Sequence, residues 1–345
     1  MSPRIRRALV TGANGFVGAR MVDRLLRRHV PVSALVRQRL PVRPTAPGLA
    51  RVHGDLTRPE SLRPAMTGCD VVFHCAWGGE SLEDARRVNV EGTRNVLETA
   101  AEAGVRRVVH LSTMAVHGDV LPPELTEDFP MVTSGDAYGV SKAEGERVAL
   151  DLGRARGVEV VALRPTLVYG PGAPYWLVGY FERVKREEVA LVDGGMGLAN
   201  LLFVEDLVDA MWTAAEAPGV AGTACLVSGE RPVTWAEYLG HFARLCRKPL
   251  PPSVPLWRAR IEMQVLRVYG TLTQRPRRLQ GMDVRLMSQH TAVRIDRARE
   301  VLGWSPVTSL EDGMEVCAAW LRREGHLPPE EPVAESPRAR RVAHR

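Results

Sequence analysis

The chain has no apolar run approaching the roughly 20 residues that a membrane-spanning helix requires. Its five cysteines, Cys69, Cys75, Cys225, Cys246 and Cys317, include no C-x-x-C pair, and their odd number and scattered spacing read as buried or incidental thiols of a reducing compartment. His74 beside Cys75 finds no second pair at ligand spacing, so no metal is expected. Aromatic residues make up only 6% of 345, and the net charge of +6 is spread along the chain rather than gathered in a stripe. That combination offers neither a recognition helix nor a stacking platform, so no nucleic-acid partner is expected. The opening MSPRIRRALVTGANGFVG has a basic head, but glycines and Asn14 break its apolar part at once. It reads as a strand and a turn rather than an export signal, and a cytoplasmic protein is expected.

What is present is ordinary globular material, 45% hydrophobic and 25% charged. Six short apolar runs, IRRALV, PVSALV, ARVHG, DVVFHC, RRVVHLS and VEVVALR, have the length and composition of strands buried in a parallel sheet. Helical patterns over Phe16 to Arg28, Pro59 to Met66, Leu82 to Ala103 and Ala137 to Arg156 separate most of them. Right-handed crossovers then predict an α/β fold, a Rossmann-type doubly wound parallel sheet over residues 1–170. After Pro171 the rhythm changes, with helices over Trp176 to Glu187, Asp206 to Glu216 and Trp235 to Cys246 and only short strands, VALV and TACLV. Residues 171–328 are expected to form a smaller C-terminal α/β substrate lobe, with the chain re-entering the first domain near 200–217. Residues 329–345, rich in proline and charge, predict a disordered tail.

ALVTGANGFVGARMVDRLL sets Gly12, Gly15 and Gly18 at the junction of the first strand and first helix. Glycines there let the backbone turn sharply, approach a diphosphate and pack helix on strand, while the helix start presents unpaired N–H groups to the phosphates. The end of the second strand reads Val36-Arg37, with Arg39 nearby, where an NAD enzyme usually carries a carboxylate for the ribose hydroxyls. An arginine pairs instead with a 2′-phosphate, so NADP(H) is favoured over NAD(H).

In GDAYGVSKAEGERVAL, Tyr138 and Lys142 stand one helical turn apart and project from one face. With the glycine turn, this spacing makes the chain resemble the extended short-chain dehydrogenase/reductase superfamily, which includes NAD-dependent epimerases and dehydratases. GDLTRPESL, VVFHCAW, VNVEGTRNVLETA, LSTMAVHG and LRPTLVYGPG extend the resemblance, in order, over about residues 5 to 210. It implies a catalytic Thr113, Tyr138 and Lys142. It also implies a cofactor held by Gly12, Asn14, Gly15, Phe16, Val17, Gly18, Arg37, Asp55, Leu56, Ala76, Asn89, Tyr138, Lys142 and Pro165. Thr113 would hold the substrate oxygen, with Ser112 the neighbouring candidate. The Lys142 ammonium would favour the Tyr138 phenolate, so that the tyrosine takes or returns the proton of an alcohol.

Met114 and Ala115 follow Thr113 where sugar-nucleotide dehydratases carry Asp-Glu, which argues against dehydration. Leu167 stands where nucleotide-sugar epimerases show an Asn, and Ala199 where they commonly show an Arg, so both polar contacts to a diphosphate are missing. The C-terminal third is similar to the 3β-hydroxysteroid dehydrogenase branch. Its helix from Leu256 to Tyr269 gathers Trp257, Ile261, Val265 and Val268 on one side, with Arg258, Arg260 and Arg267 elsewhere. That stripe is either packed on the substrate lobe, walling an apolar pocket, or rests on a membrane surface. The expectation is an NAD(P)-dependent ketone reductase or secondary alcohol dehydrogenase acting on a largely apolar small molecule. A nucleotide-sugar 4-epimerase is the alternative enzyme, and a catalytically idle dinucleotide-binding regulator the alternative without catalysis. The resemblance also implies a homodimer through Leu82 to Ala103 and Ala137 to Arg156.

Overall fold

The computed structural model describes residues 4–37, 46–269 and 280–328. In the first half, β1 (Ala8–Thr11), α1 (Phe16–Arg27), β2 (Val32–Val36), β3 (Leu49–His53), α2 (Arg63–Met66), β4 (Val71–His74), α3 (Leu82–Arg86), α4 (Gly92–Glu102) and β5 (Arg107–Leu111) follow one another. After a two-residue β6 (Glu124–Leu125) come α5 (Ala137–Arg156), β7 (Glu159–Pro165), β8 (Leu167–Tyr169), α6 (Tyr180–Lys185), β9 (Leu191–Val192), β10 (Leu198–Ala199) and β11 (Leu201–Phe203). The last part holds α7 (Val204–Glu216), β12 (Thr223–Val227), β13 (Val233–Thr234), α8 (Trp235–Leu245), β14 (Ser253–Val254), α9 (Leu256–Tyr269), α10 (Gly281–Met287), β15 (Ala292–Val293) and α11 (Leu310–Arg323).

The main sheet has seven strands in the order β12-β7-β5-β4-β1-β2-β3, all pairs parallel. Its strands are apolar on both faces because both are covered. Val10, Phe73, Val109 and Val161 meet Met21 and Leu25 of α1 and Leu207 and Met211 of α7. Leu9, Val72, Val108 and Val160 meet Met66 of α2, Val96 and Leu97 of α4 and Ala149 of α5. The strand order reverses between β1 and β4, and the cleft that a doubly wound sheet offers a ligand opens at the carboxyl ends of those strands. A third cluster, rich in aromatics, contains Tyr169, Tyr180, Phe181, Trp235, Tyr238 and Phe242 and, Tyr169 apart, these lie within the part of the chain expected to form the C-terminal lobe.

Three elements differ from the sequence expectation. TACLV, assigned to the smaller lobe, is β12 and forms an edge of the main sheet, where Cys225 faces Leu163 of β7. An apolar strand pattern specifies burial but not the partner strand. The helix expected over Leu82 to Ala103 is broken by a wide turn of i→i+5 type over Arg87–Glu91, which buries Asn89. Such bulges recur at functional sites. On α9, Trp257 and Ile261 are 66% and 55% exposed, whereas Ala259 is buried and Leu256 and Met263 pack on the lobe. The described part of the expected stripe therefore faces solvent, and a second stripe faces the protein. Val265, Arg267 and Val268 lie outside the described side chains, and Arg39 and the tail 329–345 outside the described residues. Among the described residues no helix is long and apolar enough to cross a membrane.

Candidate active site

The turn after β1 brings the glycines against the neighbouring strand end. Gly12 has φ +64°, and a Cβ there would lie 2.8 Å from the Ala76 backbone nitrogen. A Cβ on Gly18 would meet the Gly12 carbonyl oxygen at 2.1 Å. The Gly15 N–H donates to the Gly12 carbonyl at 2.9 Å, α1 starts without a side-chain cap, and its first turn holds no acidic residue. A glycine-lined turn leading into uncapped N–H groups, with no carboxylate to repel phosphate, fits a dinucleotide. Asn14 is exposed at the tip, while Phe16 packs toward the aromatic lobe and Val17 toward the main core.

Farther along the sheet edge, Arg37 is exposed at the end of β2. Asp55 accepts from the Thr57 N–H at 2.9 Å and the Thr57 hydroxyl at 2.8 Å. Burial opposes ionisation of Asp55, but these hydrogen bonds and the Arg37 and Arg58 charges outweigh it and hold its carboxyl below the ordinary value. Leu56 is buried, and Pro165 ends β7 in the interior. Asn89 does not offer its amide to the cleft. Its Oδ1 accepts from the Gly78 N–H at 3.0 Å, and its Nδ2 donates to the Gly78 carbonyl at 3.2 Å and the Ser141 hydroxyl at 3.0 Å. It clamps the loop after β4 to α5 and so acts on the site through position.

Tyr138 stands on the first turn of α5, which is capped by Asp136 accepting from the Gly139 N–H at 3.0 Å. Gly139 lets this turn approach the segment after β5, since a Cβ there would be 2.8 Å from the Ala115 carbonyl oxygen. The approach puts the phenol in hydrogen-bond reach of the Thr113 hydroxyl. Ser112 is committed elsewhere, donating to Glu146 at 2.5 Å. Tyr138 is 38% exposed as a residue, yet desolvation is the largest influence at its hydroxyl. Desolvation and Asp136 raise the phenol above its ordinary value against the lowering by Thr113. The protein's own field therefore favours the protonated phenol rather than the expected phenolate.

Lys142 is buried one turn deeper and donates to the Leu111 carbonyl at 2.6 Å. Burial brings its ammonium down to about 8, while Glu146 and Cys75 act to raise it. Around it, burial and the ammonium push His74 down to about 3 and hold His110 well below its ordinary value. Burial pushes the Cys75 thiol up to about 12. The groups around Lys142 are thus uncharged apart from the ion pair between Glu146, which is 0% exposed, and buried Arg164 at 2.5 Å. Arg164 also donates to the Glu127 carbonyl at 3.1 Å and meets His117 at 3.2 Å. No group of three His, Cys, Asp or Glu residues placed to hold a metal occurs among the described residues.

Sequence reasoning missed two features. One is the Glu146–Arg164–Ser112 network, whose only sequence signal is Glu146 standing four residues after Lys142. The other is Trp77, whose ring centroid lies 5.4 Å from that of Tyr138 in an edge-to-face arrangement. Of the two positions where diphosphate contacts are missing, Leu167 packs on the aromatic cluster and Ala199 is fully buried.

The sequence profile described as "NAD dependent epimerase/dehydratase family" matches residues 8–225. The chain is 30% identical to the UDP-glucose 4-epimerase of Vibrio cholerae, over 90% of this chain and 94% of that protein. It is 28% identical to the 2-alkyl-3-oxoalkanoate reductase of Shewanella oneidensis, over 93% and 88%. It is also 29% identical to the 3-beta-hydroxysteroid dehydrogenase of Mycolicibacterium neoaurum, over 90% of each. Relatives of nearly equal similarity perform different reactions, so identity alone does not choose among them.

Proposed function

The chain belongs to the NAD dependent epimerase/dehydratase family and is an NAD(P)-dependent enzyme of the extended short-chain dehydrogenase/reductase type, and on that premise we propose that it is a ketone reductase or secondary alcohol dehydrogenase acting on a largely apolar small molecule. The observation that carries this reading is the pair Leu167 and Ala199. Both are apolar and packed, so a diphosphate has no replacement there for the water it would lose. An apolar substrate loses nothing at those positions.

When bound, the nicotinamide supplies or accepts the hydride. The Thr113 hydroxyl lies within hydrogen-bond reach of the Tyr138 phenol, and the two would hold the substrate oxygen between them. In reduction the carbonyl π pair becomes an O–H bond with the proton from Tyr138, whose raised pKa keeps that proton available at neutral pH. In oxidation the proton returns to it. Lys142, one turn deeper on α5, charged below about pH 8 and donating to the Leu111 carbonyl, would help to hold the cofactor. Arg37, exposed after β2, would pair with a 2′-phosphate, which supports a preference for NADP(H).

The test is a direct comparison of substrates. Phosphate-free ketones should oxidise NADPH, followed by the loss of its near-ultraviolet absorbance, and UDP-sugars should bind weakly. The overall identity to an epimerase supports a second reading, nucleotide-sugar 4-epimerisation. Micromolar UDP-glucose binding, with interconversion at C4 and no net cofactor oxidation, would replace the first reading by the second.

A further inference from the structure

Trp77 has no role in the assignments above, and its surroundings are unusual for a surface tryptophan. It is 61% exposed, although singly exposed apolar residues are common and exposure by itself assigns nothing. Two further facts set it apart. Its backbone is pinned on both sides, by the Ala76 N–H donating to the Thr11 hydroxyl at 3.2 Å and by the paired hydrogen bonds of Gly78 to Asn89. One residue further on, Gly79 has φ +99° and no room for a Cβ, which would lie 2.2 Å from the Ala85 nitrogen. The ring so positioned touches the ring of Tyr138, the proposed proton donor. Rigid anchoring, exposure and contact with the reacting tyrosine together describe a preformed aromatic surface beside the reaction point.

We propose that Trp77 is a specificity-determining residue, a platform that takes the flat face of an aromatic ring carried one or two bonds from the reacting carbonyl. The substrate class is therefore aryl-bearing ketones, or the corresponding secondary alcohols. This deepens the ketone-reductase reading and rests on it. The Trp77 and Tyr138 rings are in edge contact, with centroids 5.4 Å apart, so a substrate whose oxygen is held by Thr113 and Tyr138 has the Trp77 ring beside the tyrosine that it approaches. A planar ring gains both area and a favourable π contact there, whereas a saturated ring gains area alone.

The experiment compares benzyl methyl ketone with its cyclohexylmethyl analogue, which has the same number of carbons and a carbonyl insulated from the ring. Both are reduced with NADPH by the wild type, Trp77→Leu and Trp77→Phe. The wild type should favour the aryl ketone about three- to tenfold in kcat/KM, carried in KM. W77F should keep most of that preference and W77L should lose it. NADPH affinity, read by fluorescence titration, should stay within about twofold, and circular dichroism checks folding of each variant. An unchanged aryl preference in folded W77L overturns the proposal, as does a loss confined to NADPH affinity. Failure of the wild type to reduce any phosphate-free ketone instead removes the underlying reading, so the two failures are distinguishable.

Discussion

Replacing Glu146 by Gln removes one charge from the interior while nearly preserving shape. Glu146 is fully buried and receives three contacts from Arg164, at 2.5, 3.1 and 3.1 Å, and one from Ser112 at 2.5 Å. Breaking a buried pair by removing one partner costs about 3–5 kcal/mol, because the other charge is left uncompensated. Arg164 retains the Glu127 carbonyl and His117, which favours the lower end of that range. A loss of about 3 kcal/mol is a large part of an ordinary domain's stability of about 5–15 kcal/mol. Thermal unfolding by calorimetry should show Tm falling by about 5 °C or more. The double variant E146Q/R164M, which removes both charges, should recover part of the loss. A second effect separates electrostatics from packing. The Glu146 charge is the main influence opposing the depression of Lys142 by burial, so its removal should lower Lys142 below its value of about 8. The ammonium is then lost earlier on the alkaline side, and the basic limb of the kcat/KM profile moves to lower pH. Stability loss without movement of that limb would refute the link to Lys142 and leave Glu146 a structural residue only.

Tyr138→Phe removes the proposed proton donor and keeps the ring beside Trp77, so turnover should fall at least about a hundredfold with NADPH affinity nearly unchanged, checked by fluorescence titration. Arg37→Asp should reduce NADPH affinity relative to NADH, measured at equal salt, and tighter NADH binding by the wild type would contradict the Arg37 assignment. Gly145→Ala should destabilise despite the usual gain of Ala in a helix, by about 1–3 kcal/mol in denaturant unfolding, because its Cβ would lie 2.3 Å from the Asn89 carbonyl oxygen. Lys142→Met tests linkage. The ammonium is about 8 in the folded protein against its ordinary 10.5, so the unfolded chain binds more protons between those values. Wild-type stability should therefore gain a rising contribution from pH 8 to 10.5 that the variant lacks, read from paired unfolding curves across that window.

Much of the fold was legible because the strands of a doubly wound sheet are buried on both faces and read as continuous apolar runs. The bounds of α5 agree with the sequence reading at both ends, Ala137 and Arg156, since Asp136 caps the start and Gly157, at φ +71°, stops the end. Features that depend on distant partners were not legible. TACLV showed that β12 is buried, but its neighbour β7 lies some sixty residues earlier in the chain. The spacing of Trp257 and Ile261 showed a stripe on α9 without showing which way it faces, and the stripe of Leu256, Ala259 and Met263 took the protein side. The wide turn at Arg87–Glu91 has no local breaker. It forms where Asn89 reaches both Gly78 and Ser141.

The same division separates what the enzyme shares with its family from what decides its substrate. An epimerase and a reductase both need the glycine turn, a tyrosine with a lysine one helical turn on, and a hydroxyl beside them, because both move a hydride and a proton at a carbinol carbon. Those parts are short-range motifs and survive as recognisable sequence. The residues on which the proposed substrate reading rests, Trp77 in the loop after β4, Leu167 at the start of β8 and the buried Ala199 at the end of β10, are scattered along the chain and form no motif. Two of them have polar counterparts in sugar-nucleotide enzymes, and both are apolar and packed here. Restoring charge at one position would bury it without a partner, which costs more than a single diphosphate contact returns. Conversion to a sugar-nucleotide site would therefore need Leu167 and Ala199 changed together with their packing neighbours. On the reading proposed above, that coupling would keep the specificity of the cleft apolar.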